Sequence, residues 1–536
     1  MLKMRTTKTA SGKTAVQVVE RAHQKTRVVK HIGSAGNNGE LKILKRQAEQ
    51  YIIDSTITNP LFPELFGVNS PLLLSEVEQV VDRLSVTQSV HTFAHEFLSY
   101  FYERTGLTRL GSNLLRDLSF MRLIEPCSKL RSIMLLHKYF SIDYTEDAVY
   151  GGLQKLILLK DEAEKIAVSY ATQTFGFDFS MVFYDVTTLY YESFTEDEDS
   201  FDDEGNMIEK GLRKGGLGKE IKIGQPIIVI GLMVTKEGFP VSYEIYEGNT
   251  FEGDTFIPSI LSFKKKHNIQ TLTIVADAAM ISFDNVEKLK KQQLSYIVGA
   301  RIANLENKEM VQIHQELIGL NQTLGELEII DGKSIQRQTK KGLLICDFSL
   351  KRYKKDMREM EKQIIRAKNL VAKNTDGKRT KFLQLKQTDN TVKKKKGEKV
   401  YELNTALIEK AKLLLGIKGY YTNLFDKDDK LTNQDIINHY HSLWHVEKAF
   451  RIAKFDLRAR PIFHHKRDSI EAHILIVFVS LCLAKTIEMK TNYSIRKVRD
   501  MIWDILDITF TDRLTNKQFV KRMDTTDNPM VKLLEN

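Results

Sequence analysis

The chain contains only three cysteines, Cys127, Cys346 and Cys482, which lie far apart and form no CxxC pair. This scarcity excludes a disulfide framework and a cysteine-rich zinc site, and it favours a reducing compartment. Nine prolines in 536 residues argue against long proline-rich linkers. The amino terminus lacks the apolar segment of a secretory signal, so we expect the protein in the cytoplasm.

Long hydrophobic runs are also scarce. The longest, ILIVFVSLCLA at Ile474–Ala484, is too short to span a bilayer and predicts a buried core helix. Hydrophobic residues make up 42% of the chain and aromatic residues 9%, as in globular proteins. A chain of 536 residues is long enough for about two to four domains.

The positive charge is concentrated in one segment. The whole chain carries a formal net charge of +11, while residues 351–399 contain 18 Lys and Arg against 6 Asp and Glu, a net of +12. The remaining residues therefore sum to −1. The segment, which includes Lys393, Lys394, Lys395 and Lys396, indicates a docking surface for a polyanion. Charge alone supports a solvated lysine-rich helix and loop equally well.

The middle of the chain alternates between strand-like and helix-like patterns. Strand patterns at 180–191, 226–235 and 239–248 precede a helix, a strand at 271–277, a second helix and a strand at 295–301. Glu237 and Gly238 predict a tight turn that joins the second and third strands in a hairpin. The order predicts a mixed sheet with flanking helices, an RNase H-like α/β core, with its first and fourth strands side by side.

The flanking sequence predicts further domains. We expect a small module of a β-hairpin (14–20 and 27–33) and a helix at 1–75, a helical DNA-binding region at 76–175, the two parts of the core at 176–305 and 411–490, a β-rich insertion with the basic segment at 306–410, and a helical tail at 491–536. In the insertion, LEIIDG and GLLICDFSL have strand-like patterns.

Three carboxylates occupy positions where this topology can bring them together. Asp185 lies in the first strand, Asp277 closes the fourth, and Glu447 lies in a helix predicted from Thr432 to Phe455. Clustered carboxylates repel one another unless cations neutralise them. Oxygen ligands with open coordination positions suit two Mg²⁺ or Mn²⁺ ions, and such a pair can activate an attacking oxygen and stabilise a leaving one at a phosphodiester.

The helix around Glu447 adds a second pattern. Tyr440, Glu447 and Lys454 are spaced by seven residues and would share one helix face, with Arg451 four residues after Glu447. An ordinary Glu–Arg pair on a surface helix fits the spacing as well.

These residues carry a family resemblance. The stretch resembles the Y-x2-R-x3-E-x6-K signature of the insertion sequence 4 group of DDE transposases, matching at Tyr440, Glu447 and Lys454, with Leu443 at the arginine position. The segments YDVTTLYYES, YEGNTFEGDTF, ADAAMIS and VEKAFRIAKFDLRARPIFH resemble the branch typified by the Mycoplasma insertion sequence 1634.

The resemblance implies a bacterial, nucleoid-associated transposase with Asp185, Asp277 and Glu447 as catalytic metal ligands. It would nick element ends and attack target DNA with the freed 3′-OH, as a homodimer assembled on DNA. The expected DNA-binding residues are Tyr440, Arg451, Lys454, Arg458, Arg460 and Lys393, Lys394, Lys395 and Lys396. A catalytically inactive DNA-binding remnant and an RNase H-like nuclease remain alternatives.

Overall fold

The computed structural model describes residues 2–22, 25–55, 81–216, 224–280, 282–320, 323–373, 380–385, 401–426, 430–523 and 527–535. Its strands are β1 (Leu2–Lys8), β2 (Thr14–Ala22), β3 (Lys25–Ala35), β4 (Leu84–Val90), β5 (Met181–Tyr190), β6 (Ser200–Phe201), β7 (Met207–Glu209), β8 (Ile227–Val234), β9 (Pro240–Glu247), β10 (Thr273–Ala276), β11 (Ser295–Ala300), β12 (Ser334–Thr339), β13 (Gly342–Phe348), β14 (Leu383–Leu385), β15 (Tyr401–Leu403), β16 (Ile417–Thr422), β17 (Asp507–Asp512) and β18 (Gln518–Arg522).

The α-helices of the same residues are α1 (Asn38–Asp54), α2 (Thr92–Arg104), α3 (Asn113–Ile124), α4 (Lys129–Phe140), α5 (Glu146–Leu156), α6 (Lys160–Phe175), α7 (Glu252–Lys266), α8 (Phe283–Lys291), α9 (Asn307–Leu317), α10 (Leu324–Ile329), α11 (Leu350–Ala372), α12 (Thr405–Lys412), α13 (Asn433–His441), α14 (Trp444–Arg451), α15 (Arg467–Thr491), α16 (Ile495–Trp503) and α17 (Pro529–Glu535). A π-helical turn, Ile452–Asp456, follows α14.

The chain divides into two compact units, and the smaller comprises residues 1–90 and 506–524. In it, β1, β2 and β3 form an antiparallel sheet, and Val16 and Val18 of β2 are buried together with Ala48 of α1. The hairpin and helix predicted at the amino terminus are confirmed, and β1 adds a third strand.

The smaller unit also contains a sheet of β4, β17 and β18. The helical prediction is therefore wrong at β4, within 76–175, and at β17 and β18, within the tail after 490. Strand β4 pairs with β17, more than 400 residues away in sequence. A window of local sequence contains no trace of that partner, so periodicity alone missed the strand.

The larger unit comprises residues 91–505 and 525–536 and is built on an eight-stranded mixed sheet. Its strand order is β12-β13-β16-β11-β10-β5-β8-β9, in which β10 runs parallel to both β5 and β11. Within this sheet the predicted order of strands and helices from β5 to β11 is confirmed, as is the hairpin of β8 and β9 with Gly238 at a φ of +80°. The short strands β6 and β7, which the sequence did not predict, follow β5 and form a separate pair. All eight residues of β8 are buried, because both faces of the sheet are covered.

The insertion contributes to this sheet. Strands β12 and β13, which the sequence assigns to a separate β-rich insertion, pair antiparallel with each other and through β13 with β16. LEIIDG is wrong as a strand, because its first three residues (327–329) lie in α10 and the other three form a turn. Thr323 and Glu326 form a capping box that starts that helix.

Helix α15 lies in the interior of the larger unit. It is long and apolar enough to cross a membrane by length and composition, yet 94% of its apolar window is buried in protein. It packs against α3, α5 and β9. The core helix predicted from Ile474–Ala484 is confirmed, and the helices from 92 to 175 share one hydrophobic core with the sheet.

Candidate active site

Two of the predicted carboxylates lie at equivalent positions on adjacent parallel strands. The register pairs Ala276 of β10 with Tyr184 of β5, so the next residues along each chain are Asp277 and Asp185. Neighbouring strands lie about 4.8 Å apart, which brings the two residues side by side. Asp185 is half-buried and Asp277 is exposed. The sheet thus presents both carboxylates at one edge of the β5–β10 pair.

Tyr440 joins this edge to helix α13. The helix starts at a capping box of Thr432 and Asp435, in agreement with its predicted start at Thr432. Tyr440 is 4% exposed, and its hydroxyl donates a 3.0 Å hydrogen bond to Oδ1 of Asp277. Burial raises the pKa of Tyr440 far above its ordinary value, and the carboxylates of Asp277 and Asp185 raise it further. The phenol therefore remains a donor. Its partner is a carboxylate, whereas the sequence predicts a phosphate.

Gly299 of β11 makes room for that hydroxyl. A β-carbon at this position would lie 2.6 Å from the Tyr440 hydroxyl oxygen and 3.1 Å from the Cβ of Ala278. Both distances are shorter than ordinary van der Waals contact. A residue without a side chain is therefore required for Tyr440 to reach Asp277.

Lys418 of β16 is a cation that the sequence analysis did not identify. Its Nζ lies 4.4 Å from the ring centroid of Tyr440. Burial and the charge of Arg352 lower the pKa of Lys418, while the carboxylates of Asp277 and Glu447 oppose that shift. Lys418 is thus within electrostatic reach of two of the three predicted metal ligands. The sequence did contain a signal for this residue, since Lys418 is the one charged residue of the strand IKGYYT.

A buried acid lies behind Lys418. Asp347 of β13 pairs in register with Lys418 and is 5% exposed. It forms an ion pair of 3.6 Å with Arg352 of α11. The hydroxyl of Tyr420, in turn, lies 3.4 Å from Nε2 of His441. Polar side chains of β13, β16, α11 and α13 therefore lie next to Lys418 and Tyr440.

Glu447 lies on a separate helix from Tyr440. The predicted continuous helix is interrupted at Ser442 and Leu443, where successive N–H groups bond to carbonyls three residues earlier. The Ser442 hydroxyl also donates to the carbonyl of Asn438, a bond that bends helices. Helix α14 then packs on β5 and β8 with Glu447 exposed. The seven-residue spacing therefore does not define a single helix face.

Lys454, Arg451 and Leu443, the other residues of the predicted signature region, lie in three different environments. Lys454, in the π-helical turn, is half-buried and lines a small apolar cavity with Thr187 and Leu189, which share the sheet face of Asp185. Exposed Arg451 lines a cavity of about 670 Å³ between α14 and α16. Leu443, at the arginine position of the signature, is 7% exposed and part of the core.

A further pair of predicted residues lies elsewhere. Arg458 and Arg460 line a different cavity, next to the start of α4. Lys393, Lys394, Lys395 and Lys396 lie outside the described residues. Their role in DNA binding stays a prediction.

The donor set fits a hard divalent ion by its chemistry, since Asp185, Asp277 and Glu447 provide carboxylate oxygens without thiolate or imidazole. In the part of the chain that the structure describes, no group of three or more acidic, histidine or cysteine side chains is close enough to hold a metal ion. Asp185 and Asp277 lie on neighbouring strands, and the three predicted carboxylates would have to come closer together to complete a metal site.

Comparison with known families identifies this region. Residues 227–483 match the family model described as "Transposase DDE domain". The chain contains a transposase DDE domain. The matched part of the DDE domain includes Asp277 and Glu447, while Asp185 precedes it on β5. No curated protein matches the chain.

Solved structures resemble the chain at low sequence identity. The piggyBac transposase in a synaptic complex with hairpin DNA is 8% identical, with a TM-score of 0.33 over 72% of this chain and 78% of that chain. The Mos1 transposase in a paired-end complex with the left transposon end is 10% identical, with a TM-score of 0.15 over 46% and 71%. A Mos1 mariner paired-end complex with Mn is 12% identical, with a TM-score of 0.13 over 46% and 76%.

Proposed function

We propose that the protein is a DNA transposase of a bacterial insertion sequence, of the insertion sequence 4 group. It would hydrolyse a phosphodiester bond at each element end and transfer the freed 3′-OH into target DNA. The observation that carries this proposal is the side-by-side position of Asp185 and Asp277 on parallel strands, with the helix of Glu447 packed across β5. The match to a transposase DDE domain supports it.

Asp185, Asp277 and Glu447 would hold two Mg²⁺ or Mn²⁺ ions. When bound, such ions lower the pKa of an attacking water and stabilise the charge on the leaving oxygen. The hydrogen bond from Tyr440 fixes the rotamer of Asp277, so the carboxylate is oriented before DNA arrives. Tyr440 is in this sense a positioning residue.

Lys418 has a separate role in this scheme. Its ammonium group offsets part of the repulsion between Asp277 and Glu447 while no DNA or metal is present. The same positive charge lies close enough to attract a phosphate brought to those carboxylates. Lys418 thereby favours both the ligand-free cluster and the arrival of DNA.

DNA is the proposed partner, both at the element ends and at the target. We assign phosphate contacts to Arg451 and Lys454, which follow Glu447 in the chain. We assign non-specific DNA affinity to the exposed basic face of α11 and to the run from Lys393 to Lys396. Two protomers would assemble on a pair of ends. The protein would act in the bacterial cytoplasm, at the nucleoid.

Single substitutions of the three carboxylates test the proposal. Asp185→Asn, Asp277→Asn and Glu447→Gln should each abolish Mg²⁺- or Mn²⁺-dependent nicking and strand transfer on an element-end duplex, while DNA affinity is retained. Asp284→Asn is the matched control, since this exposed aspartate on α8 pairs only with Lys288 among the ion pairs of the described residues. Full activity in any of the three variants would refute its assignment.

The wild-type assay separates the alternatives. Nicking without joining of the 3′-OH to target DNA would identify a nuclease. DNA binding without any cleavage would identify an inactive remnant. The buried Leu443, which replaces the arginine of the signature, is compatible with that outcome.

A further inference from the structure

A second basic site lies apart from the carboxylates. A cavity of about 470 Å³ lies between the start of α4 and the segment that joins the π-helical turn to α15. Its basic lining residues are Arg122, Lys129, Arg131, Arg458, Arg460 and the pair His464 and His473. Glu125 is the one acid in this lining, and it already accepts hydrogen bonds of 2.7 Å from Arg131 and Tyr139.

Two of the cations are buried. Lys129 is 3% exposed and Arg122 is 7% exposed. Among the described residues, no carboxylate forms an ion pair with either. In the part of the chain that the structure describes, Arg122 donates only to neutral acceptors, the carbonyl of Arg458 at 3.3 Å and Nδ1 of His473 at 3.0 Å. Buried cations are ordinarily paired, because water no longer solvates them.

The electrostatics of the surrounding elements add to this positive potential. Helix α4, of 12 residues, begins at the cavity wall, where the Ser128 hydroxyl accepts from the backbone N–H of Arg131. The positive end of the helix dipole therefore faces the same space as Lys129. Burial lowers the pKa of Arg122 to about 10, and it lowers the pKa of Lys129 well below its ordinary value. Both groups would regain favourable interactions if an anion entered.

We propose that this cavity is a phosphate-binding site, with Lys129 and Arg122 as its buried ligands and Arg458 at its exposed rim. Phosphate has the oxygens to accept from an ammonium, a guanidinium and helix N–H groups together. The volume exceeds that of one phosphate ion, so the group can belong to a larger molecule. Its source is a DNA phosphate or free inorganic phosphate. The proposal does not depend on catalysis at Asp185, Asp277 and Glu447.

Thermal unfolding in phosphate tests the site directly. Inorganic phosphate should raise the wild-type Tm above that in chloride at equal ionic strength, since an anion that binds only the folded chain stabilises it. Lys129→Met should lose this shift. In chloride its Tm should equal or exceed that of the wild type, because a buried unpaired charge is removed. Lys138→Met, an exposed lysine on the same helix, should keep the wild-type shift.

DNA binding without divalent ions distinguishes the two sources. If a DNA phosphate occupies the cavity, Lys129→Met should weaken duplex binding and reduce the slope of log K against log salt by about 0.9 for each phosphate that is no longer neutralised. Duplexes with and without a 5′-phosphate would then separate a terminal from a backbone phosphate. Unchanged DNA binding together with an abolished Tm shift would assign free phosphate.

Arg458→Ser provides a second variant at an exposed position, in case Lys129→Met does not fold. Like Lys129→Met, it should reduce the Tm shift in phosphate or the slope of log K against log salt for DNA binding. The proposal is overturned if phosphate and chloride give equal wild-type Tm values and neither variant alters DNA binding. Because these measurements involve no cleavage, that result would leave the catalytic assignment standing.

Discussion

The hydroxyl of Tyr440 donates a 3.0 Å hydrogen bond to Asp277 and so connects helix α13 to the end of β10. Two neighbours hold the phenol ring in this position, the Tyr420 ring at a centroid distance of 4.8 Å and the Lys418 ammonium at 4.4 Å. Gly299 of β11 leaves space for the hydroxyl. The hydrogen bond therefore depends on residues in or next to three strands, β10, β11 and β16. A carboxylate that is oriented in advance binds metal with a smaller entropic cost of ordering its side chain.

Tyr440→Phe should therefore impair activity more than stability. The ring packing remains, so the free energy of unfolding should fall by only about 1 kcal/mol, the usual net value of one hydrogen bond. Cleavage at limiting Mn²⁺ should fall about tenfold, which corresponds to about 1.4 kcal/mol in transition-state stabilisation. The Mn²⁺ concentration for half-maximal cleavage should rise, a change that a merely structural role would not produce.

Tyr420→Phe is the matched control for that experiment. Its hydroxyl lies 3.4 Å from His441 and does not bond to Asp277 among the described hydrogen bonds. The Mn²⁺ dependence of this variant should match that of the wild type. Equal Mn²⁺ dependence in Tyr440→Phe as well would show that the bond to Asp277 does not orient a metal ligand.

Gly299→Ala should disturb the same hydrogen bond from the other side. The new methyl group would lie 2.6 Å from the Tyr440 hydroxyl oxygen, so the phenol must move away from Asp277. Overpacking of this kind costs about 1–3 kcal/mol of unfolding free energy. We expect a lower urea midpoint together with weaker cleavage.

Gly151→Ala serves as the control, and we expect it to raise the urea midpoint. This glycine lies in α5 with open space around its missing Cβ. Alanine should stabilise the helix by about 0.5–1 kcal/mol, since it removes the backbone entropy of glycine. If both substitutions shift the midpoint by the same sign and size, the steric explanation for Gly299 fails.

Much of the core was predictable because its signals are local. Strands β5, β8 and β9 are dense in β-branched and aromatic residues, and the Glu237-Gly238 turn fixes one hairpin. The adjacency of β5 and β10 follows from the order of elements. These local patterns suffice to predict that Asp185 and Asp277 lie together.

Features that depend on distant partners were not predictable. Strand β4 requires β17, and Lys418 becomes part of the site only because β16 lies beside β11 and β13. The break at Ser442 combines a local hydrogen bond to the carbonyl of Asn438 with the tertiary burial of Leu443, and neither alters the helical periodicity of the sequence. For these residues, tertiary contacts override the local pattern.

Lys454→Met separates a phosphate contact from packing. Lys454 is half-buried and its stem lines an apolar cavity, so methionine preserves most of the packing while it removes the charge. The Tm should stay close to that of the wild type. Cleavage should lose about 1–3 kcal/mol of transition-state stabilisation, the range for a charge-assisted hydrogen bond. Cleavage and joining at the wild-type rate would exclude this role.

The basic face of α11 should contribute a salt-dependent share of DNA affinity. Lys354, Lys355 and Arg358 are exposed on this helix. Replacing all three by glutamine should reduce the slope of log K against log salt by about 0.9 for each phosphate that these side chains neutralise. Lys362→Gln is a milder control, since that lysine pairs with Glu359 at 3.0 Å. An unchanged slope in the triple variant would mean that this helix face is only solvated.

Acid should destabilise the protein without a bound anion, because His464 lines the cavity that contains Lys129 and Arg122. Burial lowers the pKa of His464 to about 4, and the charges of Lys129, Arg122 and His465 act in the same direction. The pKa of a histidine in the unfolded chain is about 6.5. Between these two values the unfolded chain binds the proton and the folded chain does not, so stability falls as the pH decreases from about 6.5 to 4.

Urea midpoints between pH 7 and pH 5 measure this effect. His464→Asn should show a shallower loss of stability than the wild type in chloride, because one proton no longer favours the unfolded chain. Sulfate keeps its charge across this range, and as an anion in the cavity it would favour protonated His464. Its stabilising effect on the wild type should therefore grow towards pH 5, and it should be smaller in His464→Asn. Identical pH profiles for the two proteins, with and without sulfate, would show that His464 does not face an anion site.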